Sequence, residues 1–316
     1  ASIRYLVNYL GVERVVILAP KAVMYQWQAE LAEHFGLNAW VYDSGRRSFI
    51  SSNDEVRVLG ATDPIVGAST PRISIISSQL ARGTKKGGHI FSNVSLWPEL
   101  LVVDEVHSAR VKPDLSGAEH PTLMWRMLNE VVRQVPHILF ASATPMQTHW
   151  REYHALLELL GLPKEWSDEQ NYHRSLQLIT RRDVGELADA ALVARLIRSS
   201  LLGFRPQNLE LNEDERGLAD HLADAEFDLL TSTKRVRTLW AAARTLLVKV
   251  HPARFLTMRN TRTALEQIGY SFPQRNLPPF ALVVPDEIRL FYQNVERYLS
   301  EAYFEVEKAI FPEKKF

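Results

Sequence analysis

The stretch Leu100–His107, LLVVDEVH, decides the fold class. Its run of apolar residues is typical of a strand that is buried on both faces, as strands of parallel sheets are. Asp104 and Glu105 follow at the carboxyl end of this strand, which is the end where ligands bind in open α/β sheets. Because burying two adjacent carboxylates without partners is costly, we expect the pair to face a cation or solvent.

An acid pair at this position suits a nucleotide site. There the aspartate holds Mg²⁺, usually through water, and the glutamate orients or deprotonates the attacking water. The alternative is that Asp104 and Glu105 simply begin a surface turn. A second apolar strand signal, Ile138–Pro145 (ILFASATP), runs into small hydroxyl residues. Ser142 and Thr144 at its tip could bond a neighbouring carboxylate or imidazole, although ordinary turn chemistry also explains them.

Strand and helix signals alternate over residues 1–160, which predicts an α/β domain with a parallel sheet flanked by helices. The predicted strands are 15–19, 39–42, 73–76, 100–103 and 138–141, and the clearest helices are 2–10, 22–35 and 123–134. Residues 44–72 and 82–95 are rich in Gly, Ser, Asn and Lys without periodicity, so we predict surface loops there.

The remainder of the chain divides into three further parts. Residues 161–262 are helix-rich and predict an appended helical insertion, residues 263–285 form a proline-rich connector, and residues 286–316 contain one amphipathic helix. We therefore expect the boundaries of the first domain at residues 1 and 160.

Composition excludes several classes of protein. The 316 residues carry 37 Lys+Arg and 37 Asp+Glu, so the chain is not a wholly basic nucleic-acid binder, although a local basic surface is compatible with this balance. The absence of cysteine excludes disulfides, a thiol nucleophile and a cysteine zinc site. No apolar run is long enough to cross a bilayer, so we expect no membrane contact.

Five motifs in order resemble the Swi/Snf branch of the superfamily-two helicases, and most closely its bacterial, RNA-polymerase-associated members. DEVH followed by SAT resembles motifs II and III. The other three are Pro20–Leu31 (PKAVMYQWQAEL), Ile75–Arg82 (IISSQLAR) and the helix after motif III, with a further similar segment at Arg259–Arg275. The resemblance implies a RecA-like first motor lobe of a bacterial cytoplasmic protein that hydrolyses ATP with Mg²⁺ and moves along double-stranded DNA.

The resemblance also implies roles for individual residues in ATP hydrolysis. Asp104 would contact Mg²⁺, Glu105 would activate water, and His107 would link the nucleotide site to Ser142 and Thr144. Gln147 would belong to the ATP-binding residues.

For DNA, the resemblance implies backbone contacts through Lys21, Ser77, Ser78 and Gln79, which fits a motor that reads phosphates rather than bases. Trp27 and Leu31, four residues apart on one helix, are interpreted as core instead.

A sharp change of charge marks the helical insertion. Residues 208–230 hold eight acidic residues, whereas residues 231–262 hold eight Lys/Arg and no acid. One interpretation is two antiparallel helices with opposite charges facing each other. The other is that Lys234, Arg235 and Arg237 line the DNA path, while other surfaces of the insertion bind protein partners.

The chain departs from the family in lacking any G-x-x-x-x-G-K-[ST] phosphate loop. We expect it to begin just after that loop and to include only the first helix of the second motor lobe. By itself it should then show little ATPase activity. A strand-separating helicase and a non-catalytic, motor-like scaffold that binds DNA or protein are alternatives, whereas a small-molecule α/β enzyme lacks any nucleophile–base pattern.

Overall fold

A mainly parallel sheet with helices on both faces occupies the first half of the chain. The computed structural model describes residues 2–83, 88–113, 119–143, 150–180 and 186–258. Its strands are β1 (Val15–Ala19), β2 (Trp40–Asp43), β3 (Ser48–Ser51), β4 (Val56–Val58), β5 (Ile73–Ser77), β6 (Leu100–Val103), β7 (Val111–Pro113), β8 (Glu119–Pro121) and β9 (His137–Phe140).

The helices alternate with the strands and then dominate the second half. They are α1 (Ser2–Tyr9), α2 (Met24–Phe35), α3 (Ser78–Ala81), α4 (Leu123–Val131), α5 (Trp150–Leu159), α6 (Lys164–Ser167), α7 (Glu169–Thr180), α8 (Leu187–Phe204), α9 (Glu213–Ala223), α10 (Leu229–Thr238), α11 (Trp240–Lys249) and α12 (Ala253–Leu256). Two 3₁₀ turns, Lys21–Val23 and Val106–Ser108, follow β1 and β6.

The strand order is β4-β3-β2-β5-β1-β6-β9. Strand β1 pairs in parallel with β5 and β6, β5 with β2, and β6 with β9, so these five strands have their carboxyl ends at the same edge. All residues of β1 and β6 are buried, as strands covered on both faces should be. This confirms the predicted α/β fold with a RecA-like parallel sheet.

The prediction of a loop over residues 44–72 is wrong in part. This segment contains β3, which pairs antiparallel with β2, and β4, which pairs antiparallel with β3. Phe49 on β3 is fully buried against Tyr42, with ring centroids 5.0 Å apart. The burial of Phe49 stabilises β3 as a strand, although the residues around it favour turns. The antiparallel hairpin of β7 and β8 was also not predicted.

Two apolar layers hold the sheet. On one face, Ile3 of α1 and Leu31 of α2 pack with Ile17 and Val102. On the other face, Met127 and Leu128 of α4 belong to the same cluster as the remaining side chains of the strands. The central strands β1 and β6 are therefore shielded on both faces, whereas β4 at one edge of the sheet is exposed.

The helices that follow have a separate core. It is built around Trp166, Tyr172 and the buried face of α8, whose members include Val193 and Leu196. Helices α9, α10 and α11 contribute further residues to the same cluster. The described part of residues 161–262 is mainly helical. That these residues form a separate insertion with a boundary at residue 160 stays a prediction. Arg259–Arg275, the proline-rich connector and residues 286–316 lie outside the described residues.

None of the helices in the described ranges is both long and apolar enough to cross a membrane.

Candidate functional site

The acid pair lies at the edge where the parallel strands end. The backbone N–H of Asp104 donates to Leu18 O of β1 at 2.8 Å, and that of Val106 donates to Ala141 O at 3.0 Å. The turn after β6 is thus held from both neighbouring strands. Sheet pairing fixes where the two carboxylates leave the backbone.

Both carboxylate oxygens of Asp104 have protein donors. Oδ1 accepts the backbone N–H of Glu105 at 2.9 Å, and Oδ2 accepts the indole Nε1–H of Trp27 at 2.7 Å. Each carboxylate oxygen has two lone-pair directions, so one on each remains for a metal-bound water. Asp104 is half-buried, which keeps the carboxylate oriented while water can still reach it.

Glu105 adopts a backbone conformation that residues with a side chain rarely adopt. Its φ is +50° and its ψ is +45°, in the left-handed region. Such a conformation costs free energy in any residue other than glycine and is concentrated at functional sites. It turns the chain directly into the 3₁₀ turn Val106–Ser108. The Glu105 side chain stays 45% exposed, so a water molecule can reach its carboxylate.

One ring nitrogen of His107 joins two strand ends. Nδ1 lies 2.9 Å from Glu105 Oε2 and 3.3 Å from Ser142 Oγ, which follows β9. Because one nitrogen carries at most one proton, the two contacts compete for it. The structure therefore brings together three of the predicted catalytic residues. Thr144 and Gln147 lie outside the described residues.

The four residues predicted to contact nucleic acid near the sheet gather around one amide oxygen. Gln79 Oε1 accepts the backbone N–H of Lys21 at 3.3 Å, the hydroxyl of Ser77 at 2.8 Å and that of Ser78 at 3.4 Å. Lys21 and Gln79 are exposed, whereas Ser78 is only 7% exposed and supports Gln79 from within. The 3₁₀ turn before α2 and the start of α3 are thereby tied together.

A cleft of about 380 Å³ lies between Ser78 and Gln79 of this group and Glu105. Its lining includes Pro20, Gln79, Arg82, Glu105, His107 and Met124. Arg82 is exposed, and its side chain forms no hydrogen bond or ion pair with the described residues, although its backbone N–H donates to Ser78 O. Within the described part of the chain, the cleft therefore presents a guanidinium without a partner beside the candidate phosphate contacts.

The donor set fits Mg²⁺ bound mainly through phosphates and water. Within the described ranges no three His, Cys, Asp or Glu residues cluster as a protein-only metal site would require. Mg²⁺ commonly uses one or two carboxylates and completes its shell with substrate phosphates. Asp104, with a free lone pair on each oxygen, could be such a ligand.

Trp27 has a contact that helical spacing does not predict. Its ring packs against the core, as its spacing from Leu31 indicates, and its indole N–H also donates to the candidate metal ligand. Its neighbour Leu31 is indeed core, at 3% exposure. The signal that could have found Trp27 is its polar N–H, because a buried indole N–H usually has a hydrogen-bond partner.

The basic residues of the helical part divide into two groups. Lys249 on α11 forms an ion pair with Glu215 on α9, with Nζ 2.7 Å from Oε2. Lys234, Arg235 and Arg237 on α10 are instead exposed, and no acidic side chain of the described residues forms an ion pair with them. The interpretation in which opposite charges on two helices face each other therefore fits Lys249. It does not fit the three α10 residues, whose charges can interact with a ligand.

Comparison with known proteins gives consistent matches. The family model described as "SNF2-related domain" matches residues 2–202. Over 282 residues the chain is 26% identical to the RNA polymerase-associated protein RapA of Pseudomonas putida, an alignment that covers 87% of this chain and 25% of that protein. RapA of Stutzerimonas stutzeri is 26% identical over 277 residues with the same coverage. The chain thus spans a quarter of the length of these relatives.

Proposed function

Because the chain belongs to the SNF2-related domain family, we propose that it forms the first motor lobe of an ATPase that moves along double-stranded DNA. The observation that carries the proposal is the acid pair at the end of β6. Asp104 is held for a metal, and Glu105 is linked through His107 to the end of the next strand. The ligand is ATP with Mg²⁺.

The position of each site residue allows it a particular role in ATP hydrolysis. Mg²⁺ supplies charge neutralisation for the phosphates when it is bound. Asp104 orients the metal's water shell, and the exposed carboxylate of Glu105 accepts a proton from the attacking water. His107 shares its Nδ1 contacts between Glu105 and Ser142, so a shift of either strand end changes how Glu105 is held. Thr144 and Gln147 complete this set in the proposal.

The DNA contact is proposed to run along the phosphate backbone. Lys21 supplies a charge, Ser77 and Gln79 supply polar groups at the start of α3, and Ser78 supports them. Lys234, Arg235 and Arg237 on α10 supply a second basic surface. Sequence-independent tracking needs contacts of this kind, because phosphates are the same at every step.

The partners of the whole protein are part of the proposal. The relatives are named as RNA polymerase-associated, so we place the protein on transcribed DNA in the bacterial cytoplasm. The helical part from residue 161 onward is the surface proposed for protein partners.

Steady-state ATPase assays of the full-length protein test the function. We expect stimulation by duplex DNA above single-stranded DNA or RNA. Glu105→Gln should lower the rate by about 10²–10⁴-fold, the usual contribution of a general base. Glu33→Gln on the exposed face of α2 is the matched control and should leave the rate unchanged.

A displacement assay separates the alternatives. Removal of a third strand from duplex DNA without separation of the duplex strands supports a translocase, whereas duplex separation would identify a helicase. DNA binding without ATP hydrolysis would identify a scaffold. Full activity of Glu105→Gln would refute the catalytic assignment.

A further inference from the structure

We infer that Trp27 is a positioning residue for the metal, in that its indole N–H holds the Asp104 carboxylate in the orientation that receives Mg²⁺. The inference rests on the proposed function and adds a residue from a different element. The two side chains are 77 positions apart in sequence, and the Nε1–Oδ2 distance is 2.7 Å.

The hydrogen bond between Trp27 and Asp104 can have only one donor. An indole N–H can only donate, so the oxygen that faces it must act as an acceptor. The second oxygen is held by the backbone N–H of Glu105. With one donor on each oxygen the carboxylate has a single preferred rotation, and its remaining lone pairs point to fixed positions. Groups that orient a metal ligand in this way commonly affect metal affinity by about 10–100-fold.

The position of Trp27 connects the metal ligand to the nucleic-acid contacts. Trp27 lies in the first turns of α2, and the 3₁₀ turn immediately before this helix begins at Lys21. The backbone of Lys21 is in turn bonded to Gln79. A phosphate that moves the start of α2 would therefore also move the donor on Asp104. Trp27 is half-buried and its ring also packs against the core cluster that contains Leu31, so the test must separate the N–H from the packing of the ring.

The test uses Trp27→Phe in the full-length protein, because phenylalanine keeps an aromatic ring and removes the N–H. The first readout is binding of a fluorescent ATP analogue as Mg²⁺ is titrated. We expect the Mg²⁺ concentration at half-saturation to rise about tenfold, because residues that hold a metal ligand in place commonly contribute this much to metal affinity. The second readout is kinetic: kcat should fall at low Mg²⁺ and recover in part at high Mg²⁺, with KM for ATP at saturating Mg²⁺ little changed.

Two controls make the result specific. Trp40→Phe on β2 is the same change at a half-buried tryptophan remote from the acids, and it should leave Mg²⁺ dependence unchanged. Asp104→Asn provides a double-mutant cycle: if Trp27 acts through Asp104, adding Trp27→Phe to Asp104→Asn should have no further effect on Mg²⁺ dependence. Additive losses would overturn the inference.

The outcomes also separate this inference from the proposed function. Absence of Mg²⁺-dependent nucleotide binding in the unaltered protein would refute the function itself. Binding that responds to Asp104→Asn but not to Trp27→Phe would overturn only the role of Trp27. Should Trp27→Phe fail to fold, Trp27→His, which retains a ring N–H, is measured instead, and near-normal Mg²⁺ dependence supports the inference. Failure of both variants to fold would assign Trp27 to the core and overturn it.

Discussion

Nδ1 of His107 lies 3.3 Å from Oγ of Ser142, so a single side-chain contact joins the turn after β6 to the end of β9. The same nitrogen is 2.9 Å from Glu105. Ser142 and Glu105 compete for the proton on Nδ1, so a change in the position of Ser142 alters the hydrogen bond between His107 and Glu105. The contact is a physical route by which movement of one strand end reaches the proposed base.

Ser142→Ala should weaken the response of ATP hydrolysis to DNA. Without the hydroxyl, His107 keeps its contact with Glu105 but loses its hydrogen bond to the end of β9. We expect the ratio of DNA-stimulated to basal ATPase rate to fall by about tenfold, within the range of coupling between sites. The measurement is the ATPase rate of the full-length protein over a titration of duplex DNA, and exposed Ser44→Ala is the matched control. An unchanged ratio would show that the contact is only structural.

The exposed basic residues of α10 predict a salt effect. If Lys234, Arg235 and Arg237 contact phosphates, replacing all three with alanine should reduce the slope of log affinity against log salt by about 0.9 for each lost contact. Fluorescence anisotropy with duplex DNA at several salt concentrations gives this slope for the full-length protein. Alanine at three exposed basic residues on other elements, Arg4, Arg133 and Lys164, controls for net charge. The same slope in both triple variants would argue against an α10 contact.

The buried ion pair between α9 and α11 predicts a large loss of stability. Glu215 is 2% exposed, and burial acts to raise its pKa, but hydrogen bonds from Lys249 and from the Asn212 backbone outweigh this and hold the pKa below its ordinary value. Lys249→Met leaves that carboxylate without its cation, so we expect the free energy of unfolding to fall by about 3 kcal/mol. Urea unfolding of the chain at pH 7 measures it.

The loss should also depend on pH in a defined direction. Because the folded pKa of Glu215 is lowered, its stabilisation is complete above its unfolded pKa and disappears as the pH falls through the folded value. The difference between Lys249→Met and the unaltered chain should therefore shrink in acid. Exposed Lys234→Met is the control and should change stability by no more than about 0.5 kcal/mol. An equal effect of the two substitutions would contradict the prediction.

The buried imidazole of His251 predicts sensitivity to mild acid. Burial lowers its pKa to about 4, its ring lies against Trp166 at 4.8 Å, and no described residue bonds its Nε2. Between the ordinary pKa of 6.5 and 4, the unfolded chain binds the proton and the folded chain does not. Stability should therefore fall as pH decreases through this window, by up to about 1.4 kcal/mol per pH unit from this residue.

His251→Phe should flatten that part of the pH–stability profile, since phenylalanine has nothing to protonate. Thermal unfolding between pH 4 and 7 gives the profile, and the same substitution at exposed His34 should leave the slope as it was. A slope that survives His251→Phe would mean that other groups cause the acid sensitivity.

The 316-residue chain alone should hydrolyse ATP slowly or not at all. It contains no G-x-x-x-x-G-K-[ST] motif to hold the phosphates of ATP. Phosphate release from the purified chain, with and without duplex DNA, measures this. Robust DNA-stimulated turnover would show that the chain does not need that motif.

The sheet was predictable from sequence wherever burial acts on both faces of a strand. The runs at β1 and β6 are apolar because no position along them meets water, so composition alone identifies them. Strands β3 and β4 escaped prediction because they are short, lie at the edge and are surrounded by turn residues. On β4 every residue is exposed, which leaves no pattern to detect.

The sequence predicts the two acids of the candidate site, but not the residues that hold them in place. Asp104 and Glu105 are adjacent in sequence, so a short motif reveals them. Trp27 meets Asp104 only because α2 lies over the sheet, and helical spacing with Leu31 points to the core. The left-handed backbone of Glu105 has no sequence signal, since glycine rather than glutamate is the residue that favours it.

The central place of β1 in the sheet has a consequence for how the protein is made. Val15 pairs with Ile73 on one side and with Leu100 on the other, so β1 gains both neighbours only after much later parts of the chain have been made. The meander β2–β3–β4 pairs locally and can form early, whereas the parallel core must wait for distant chain, which makes folding slow. Until β6 has been made, the nascent chain displays an apolar strand with an open edge. During that interval it is exposed to misassociation on the ribosome, and the candidate site is completed only when β9 has joined β6.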